Sequence, residues 1–158
     1  MSPRAAARLE SIGFAEVYDY AAGKAGWGSA GLALEGDDPS ARRAGAFVRA
    51  DVPTCHVGDR LVAVCTEVQR LGWDQCFVVD DAGVVLGRLG RGALRRSDDV
   101  PVEEAMSEGP STVRPSARLE SVVARMSRQH LTNLPVTTSD GRLVGLLLRE
   151  DAERALES

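Results

Sequence analysis

Two stretches of the chain, residues 54–94 and 112–152, carry the same order of apolar and polar positions at a constant offset of 58 residues. The matched pairs include Thr54 and Thr112, Leu61 and Leu119, Val78 and Val136, Gly83 and Gly141, Val85 and Leu143, and Gly87 and Gly145. Because no gap is needed over about forty positions, we interpret the stretches as two copies of one structural unit. We refer to them as the first copy and the second copy.

Each copy predicts the element order β-α-β-β-α. The helix has apolar residues at near-3.6 spacing, and the two later strands are joined by a turn that contains Asp and Gly. The strands are predicted at 54–57, 75–79 and 84–89 in the first copy, and at 112–114, 133–137 and 143–148 in the second. The closing helix is clear at 149–156 and weak at 92–96. This order predicts an α/β (α+β) fold.

The composition is that of a globular chain, with 44% hydrophobic and 27% charged residues among 158. The net charge of -4 argues against a dedicated nucleic-acid-binding protein, which normally carries a surplus of basic residues. The chain has no apolar run long enough to cross a membrane, and its first residues lack the apolar region of a secretory signal. We therefore expect neither nucleic acid nor a membrane as a partner.

The cysteines and histidines form no catalytic or metal-binding pattern. Cys55, Cys65 and Cys76 have no C-x-x-C spacing, and His56 beside the first of them does not complete a zinc motif. The sequence also lacks a P-loop and a dinucleotide-binding glycine motif. We expect no catalytic residue, no metal and no required cofactor. Three cysteines that cannot all pair favour a cytoplasmic location.

Several short motifs resemble the cystathionine-β-synthase (CBS) domain, which occurs in tandem as a Bateman module. They are VEEAM at 102–106, TV at 112–113, NLPV at 133–136, DGRLVG at 140–145 and Asp151 in the second copy, with QCFVVD at 75–80 and GVVLG at 83–87 in the more diverged first copy. The resemblance covers residues 48–156. It implies two CBS repeats in a pseudo-two-fold arrangement, with repeat 1 at 48–99 and repeat 2 at 100–158.

The resemblance also implies a site for an adenine nucleotide (AMP, ADP or ATP) or S-adenosylmethionine. The run GLLLRED at 145–151 is similar to the family's Gly-h-h-Thr/Ser-x-x-Asp motif, in which the Asp binds both ribose hydroxyls. Here Asp151 is present, but Leu148 replaces the hydroxyl residue. Alternatively, Asp151 only stabilises the first turn of a helix. The first copy has Gly90 and Ala93 at these positions, so we expect at most one adenosine site.

The rest of the implied pocket comes from two edges of the second copy, namely Thr112 and Val113 at its first strand, and Thr132, Asn133, Leu134 and Pro135 before the next. Candidate phosphate-binding residues are Arg149, Arg91, Arg128 and His130. The alternative is that Val113 and Leu134 are core residues and that the arginines are solvated. The sequence leaves both interpretations open.

Residues 1–36 do not belong to the repeat and resemble the end of a rhodanese domain. They predict a helix that ends at Gly13, a strand at 17–20, and a turn and short helix at 23–31 that carries Trp27. Residues 37–47 read as a polar linker. Because the chain has no cysteine before Cys55, the nucleophile of a sulfurtransferase is missing, and we expect no such activity.

Two functions remain open for the tandem repeat. The first is a regulatory module in which an adenosyl ligand alters a dimer or partner surface. The second is a structural or protein-interaction module whose nucleotide site has decayed. The resemblance implies a homodimer and a possible regulated protein partner. Leu94, Val122 and Leu156 are the apolar residues that we expect on the dimer surface.

Overall fold

A computed structural model describes residues 8–17, 23, 26, 27, 30, 32 and 41–157. It contains one four-stranded sheet, in the order β1-β2-β3-β4, and one two-stranded sheet, β5-β6. The strands are β1 (Thr54–Cys55), β2 (Cys76–Val79), β3 (Val85–Leu89), β4 (Ser107–Glu108), β5 (Asn133–Thr137) and β6 (Leu143–Leu148). The helices are α1 (Leu61–Arg70), α2 (Leu119–Arg128) and α3 (Arg149–Glu157), with 3-10 helices at Ala44–Phe47, Ala93–Arg95 and Val102–Glu104. The predicted mixed α/β fold is confirmed.

The two copies pair their strands in the same register. Strands β2 and β3 are antiparallel with Val78 opposite Gly87, and β5 and β6 are antiparallel with Val136 opposite Gly145. Each pairing shifts register at the same place, directly after Val78 in the first copy and directly after Val136 in the second. The 58-residue offset therefore relates the backbones of the two copies as well as their sequences, including the shift in strand register.

Three elements are clearly shorter than predicted. The strand expected at 54–57 is the two-residue β1, Thr54–Cys55. The strand expected at 112–114 is reduced to a single parallel bridge from Val113 to β5. Its pairing stops because the guanidinium of Arg114 donates to the backbone carbonyl that ends β5 (3.3 Å) and to the next one, and the following residue is a proline without an N–H. The weak helix expected at 92–96 is the 3-10 helix Ala93–Arg95, since the glycines just before it disfavour a longer helix.

The copies meet along a pseudo-two-fold axis at the turns between their antiparallel strands. Val85 donates its N–H to the carbonyl of Gly141 (3.0 Å), and Leu143 donates its N–H to the carbonyl of Gly83 (3.0 Å). The 58-residue offset converts either hydrogen bond into the other, as a two-fold relation requires. The fully buried Phe77 belongs to an apolar cluster that contains residues of both copies. The predicted pseudo-two-fold arrangement is confirmed.

Each copy is completed by the segment that precedes the other copy. We call residues 42–50 and 100–108 the lead-in segments. The first lies on the second copy, where Arg49 pairs with β6, and the second lies on the first copy, where β4 pairs with β3. Ala44 is fully buried in the core of the second copy, and Val102 is fully buried in the core of the first. The last residues of the predicted linker therefore belong to a packed segment.

The expected apolar dimer surface is wrong. Leu94 and Val122 are only 7% and 4% exposed and belong to the cores of the first and second copies. Leu156 is partly buried against the second core. These side chains lie on the faces of their helices that pack toward the sheets, so they are not available to a partner.

The N-terminal segment is described only in part. Residues 8–11 are helical, and Gly13 follows with φ of 101°, in agreement with a helix that ends there. Ile12, just before this glycine, is 56% exposed. Most of the strand predicted at 17–20 and more than half of the turn and helix predicted at 23–31 lie outside the described residues. The rhodanese-like resemblance stays a prediction.

The left-handed backbone at His130 offers a test of the repeat. His130 ends α2 with φ of 54°, and its counterpart in the first copy is Gly72, with φ of 74°. A non-glycine residue in this conformation costs about 1–2 kcal/mol, of which the greater freedom of unfolded glycine cancels about 0.5–1 kcal/mol. We expect His130→Gly to raise the free energy of unfolding by about 0.5–1 kcal/mol in urea titrations. The reverse change in the first copy, Gly72→Ala, should lower it; equal stability of both variants and wild type would contradict the assignment.

Candidate functional site

A cleft of about 620 Å³ lies where the two copies meet, a size typical of small-molecule sites. Its walls contain residues that the pseudo-two-fold axis relates in pairs: Asp74 and Thr132, Gln75 and Asn133, and Arg91 and Arg149. The first lead-in segment adds Arg49, and Asp51 follows directly after it. The cleft is therefore a property of the assembled pair and not of either copy alone.

The cleft brings together four of the residues predicted to bind the ligand: Thr132, Asn133, Leu148 and Arg149. Asn133 donates from Nδ2 to the hydroxyl of Thr132 (3.2 Å), while its Oδ1 is buried without a hydrogen-bond partner among the described residues. An unpaired buried acceptor is costly, so Asn133 is suited to accept a hydrogen bond from a ligand amine or a water.

The other edge residues lie beside or beneath the cleft. Val113 and Leu134 are 9% and 2% exposed and belong to the core of the second copy, which is the alternative interpretation given above. Pro135 is buried, and its carbonyl accepts a hydrogen bond from the N–H of Val113 (3.1 Å). Thr112 is half-buried and does not line the cleft. These residues support the residues that line the cleft.

Asp151 lies in the first turn of α3, behind one of the lining residues. Its Oδ2 accepts a hydrogen bond from Nε of Arg49 (2.9 Å) and lies 2.8 Å from Nη2 of the same guanidinium, and its Oδ1 accepts one from Nη1 of Arg154 (3.3 Å). The Asp151 side chain is 20% exposed, whereas that of Arg49 is 47% exposed. The Arg49 side chain therefore lies between the cleft and the Asp151 carboxylate. A ribose could hydrogen-bond to this carboxylate only after the Arg49 side chain rotates away.

Only two of the four candidate phosphate-binding residues line the cleft, and both are already paired. Arg91 contacts Asp74 at 2.5 Å, and Arg149 contacts Glu153 at 3.5 Å. Arg128 and His130 lie at the end of α2 and do not line it. Arg49 was not predicted from the sequence, although the repeat extends upstream to this residue and relates it to Ser107 by the same offset of 58 residues.

The three thiols belong to the core of the first copy. Cys55, Cys65 and Cys76 are all free and buried. A hydrogen bond to Cys55, together with burial, raises the pKa of Cys76, and burial raises the pKa of Cys65. Cys55 and Cys76 also line a groove of about 330 Å³ between β1 and α1. Protonated thiols are poor nucleophiles and metal ligands, and no group of residues in the described part of the chain could hold a metal ion.

Residues 102–158 match the CBS domain family. No curated protein is significantly similar to the chain in sequence. In the part of the chain that the structure describes, no helix combines the length and the apolar character of a membrane span.

Three solved structures share the fold. The cytosolic domain of the Mg²⁺ channel MgtE in complex with ATP has a TM-score of 0.65 and 25% identity, covering 72% of this chain and 48% of that one. The CBS domain pair of MJ0100, in complex with 5'-methylthioadenosine and S-adenosyl-L-methionine, has a TM-score of 0.62 and 19% identity over 74% of this chain and 97% of that one. CBSX2 in complex with AMP, a protein from Arabidopsis thaliana, has a TM-score of 0.64 and 21% identity over 73% and 96%.

Residues 102–158 are therefore similar to the CBS domain family, and the chain has the fold of CBS-pair proteins. It spans about half of the MgtE structure that it matches and nearly all of the CBS-pair structures of MJ0100 and CBSX2. The family match does not include the N-terminal segment.

Proposed function

We propose that this chain is a regulatory module that binds an adenine nucleotide or a related adenosyl ligand in the cleft between its two copies. The observation that carries the proposal is the cleft itself, which joins both copies and has Asp151 behind Arg49 in its wall. The likeness to CBS-pair structures that hold ATP, AMP and S-adenosyl-L-methionine supports it.

The geometry suggests how binding would be transmitted. Ribose hydroxyls can replace the guanidinium of Arg49 as the donors to Asp151. Arg49 belongs to the first lead-in segment, where its N–H and carbonyl each form a 2.9 Å hydrogen bond with Leu146. Turning its side chain therefore acts on the segment that leads into the first copy. A ligand that binds the open arrangement better shifts the population toward it.

A competing function is a protein-interaction module whose ligand site has decayed. Two observations favour it: Leu148 stands where the resemblance implies a hydroxyl, and Arg49 already occupies Asp151. A thermal-shift screen with AMP, ADP, ATP, NAD and S-adenosylmethionine separates the two functions. A ligand at 100 times its Kd adds about 2.7 kcal/mol, which should raise Tm by about 5–11 °C. No shift with any of these compounds, confirmed by calorimetry, would overturn the ligand-binding function.

We also propose a homodimer in which the two protomers run in opposite directions, because the two halves of the molecule have opposite charge. The first unit, residues 54–110, contains six arginines and ten carboxylates. The second unit, residues 41–53 and 111–157, contains ten arginines and seven carboxylates. A head-to-tail dimer places each acidic unit against a basic one, whereas a head-to-head dimer places like charges together.

The charges on and beside the lead-in segments give the dimer a specific test. We expect a dimeric mass by light scattering at micromolar concentration, weakened by salt. Arg42→Glu with Arg118→Glu should weaken dimerisation at least about tenfold, and so should Glu103→Arg with Glu104→Arg. All four changes in one chain should restore it, because the charges become complementary again. A monomeric mass at that concentration would contradict the dimer. A dimer whose stability neither double substitution changes would contradict the head-to-tail orientation.

We propose a cytoplasmic location and no sulfurtransferase activity. Three free, buried thiols fit a reducing compartment, and none lies in the rhodanese-like segment. Thiosulfate-to-cyanide sulfur transfer by the purified protein should stay at the rate of the buffer. A turnover above that rate would contradict this expectation, and replacement of each cysteine by serine would identify the residue responsible.

A further inference from the structure

The charges that line the cleft do not favour a phosphate chain. The lining contains three arginines and four carboxylates, so its side chains carry one net negative charge. They are Arg49, Arg91, Arg149, Asp51, Asp74, Glu150 and Glu153. A nucleotide phosphate chain brings further negative charge into this space and must be attracted by cations that exceed the carboxylates around them.

The pairing of these groups adds to the imbalance. All three arginines already contact a carboxylate, at distances between 2.5 and 3.5 Å. By contrast, the carboxylates of Asp51 and Glu150 make no hydrogen bond or ion pair within the described part of the chain. Before a ligand binds, the cleft thus offers unpaired negative charge and no unpaired arginine; only Arg49 is released when a ribose takes its place on Asp151.

An aromatic side chain lies in the same wall. Trp73 is half-buried and lines the cleft, two residues before Gln75, the counterpart of Asn133. The face of an indole ring attracts cations, and aromatic side chains are a common means of binding onium groups in proteins. Trp73 and the free carboxylates therefore favour the same kind of ligand by independent mechanisms.

We infer that the cleft selects an adenosyl ligand with a cationic tail, of the adenosyl-sulfonium class to which S-adenosylmethionine belongs, over nucleotides with phosphate chains. This inference rests on the proposed function. The sulfonium and ammonium groups would be held by Asp51, Glu150 and the Trp73 ring. The single carboxylate of the amino-acid tail requires only one of the three arginines, and Asp151 would hold the ribose.

Calorimetry with matched ligands tests the inference. S-Adenosylhomocysteine lacks the methyl group and the sulfonium charge but is otherwise the same molecule as S-adenosylmethionine. We expect S-adenosylmethionine to bind about fivefold or more tightly than S-adenosylhomocysteine, and ATP to bind most weakly, with or without Mg²⁺. Raising the salt concentration should narrow these differences.

Charge-neutral variants assign the preference to residues. Asp51→Asn and Glu150→Gln should each weaken the binding of S-adenosylmethionine about three- to tenfold and should weaken the binding of S-adenosylhomocysteine less. Trp73→Leu should reduce the ratio between the two ligands, while Glu120→Gln, which removes the same charge on α2 outside the cleft, should leave it unchanged. If ATP or AMP binds as tightly as S-adenosylmethionine, the inference is overturned and the proposed function stands. If no adenosyl compound binds, both are overturned.

Discussion

Replacing Asp151 by alanine is expected to weaken the binding of an adenosyl ligand by at least about tenfold. A carboxylate that accepts two ribose hydroxyls makes charge-assisted hydrogen bonds, each worth about 1.5–3 kcal/mol, and a tenfold loss corresponds to about 1.4 kcal/mol. We expect a loss of affinity smaller than two such hydrogen bonds would give, because Asp151 must first break its contacts with Arg49. Calorimetry on wild type and variant, with the same ligand and salt concentration, measures the difference.

The fold should survive this change. Both partners of Asp151 are surface arginines, 47% and 73% exposed, and exposed ion pairs contribute about 0–1 kcal/mol. Asp140→Ala is a matched control because it removes a carboxylate that pairs with an arginine in a turn outside the cleft. Asp140→Ala should bind the ligand as wild type does. Equal affinities of wild type and Asp151→Ala would remove Asp151 from the site.

Two further variants test the asymmetry of the copies. Leu148→Thr restores the hydroxyl that the resemblance implies, at a half-buried position in the cleft wall, and should tighten binding. Ala93→Ser places a hydroxyl at the counterpart of Asp151 in the first copy and should change nothing. Tighter binding by Ala93→Ser would mean that the first copy also holds a ligand.

The repeat was predictable because it depends on patterns that are local in sequence. The apolar runs of the strands and the positions of Gly83 and Gly141 place the turns, and the turns set the strand register. The same offset then describes features that no single residue reveals, including the shift after Val78 and after Val136. Two elements depart from it. The first strand of the second copy is short because the Arg114 side chain occupies the carbonyls at the end of β5, and the closing helix of the first copy is only a 3-10 helix.

The exchange of the lead-in segments was not predictable in this way. Ala44 and Val102 occupy equivalent positions, yet their short 3-10 helices contain too few residues to show an apolar period. Nothing local says which copy such a segment packs against. The full set of site residues was not predictable for the same reason, because Arg49, which binds Asp151, lies 102 positions away from it in sequence. Residues on the strand edges of the second copy could be predicted, but the residue that covers the carboxylate could not.

The close approach of the first lead-in segment to β6 predicts a large effect at Gly145. A Cβ at this position would lie 2.6 Å from the carbonyl oxygen of Arg49 and 3.1 Å from Cβ of Val48. The obstructing atom is backbone, and Arg49 is bound to Leu146 by two 2.9 Å hydrogen bonds, so it cannot yield without breaking them. We expect Gly145→Ala to lower the free energy of unfolding by about 1–3 kcal/mol, measured by urea titration.

The counterpart and a control make this result specific to the lead-in segment. Gly87→Ala should cost less, because the backbone oxygen of Ser107 is farther away, at 3.0 Å, and the nearest atom, at 2.6 Å, belongs to the flexible side chain of Met106. Gly92 has helical backbone angles and open space around it, so Gly92→Ala should be neutral or stabilising by up to about 1 kcal/mol. Because the displaced segment carries Arg49 to the cleft, Gly145→Ala should also change ligand affinity, whereas Gly92→Ala should not. If Gly145→Ala is as stable as wild type, the lead-in segment does not pack on β6 as described.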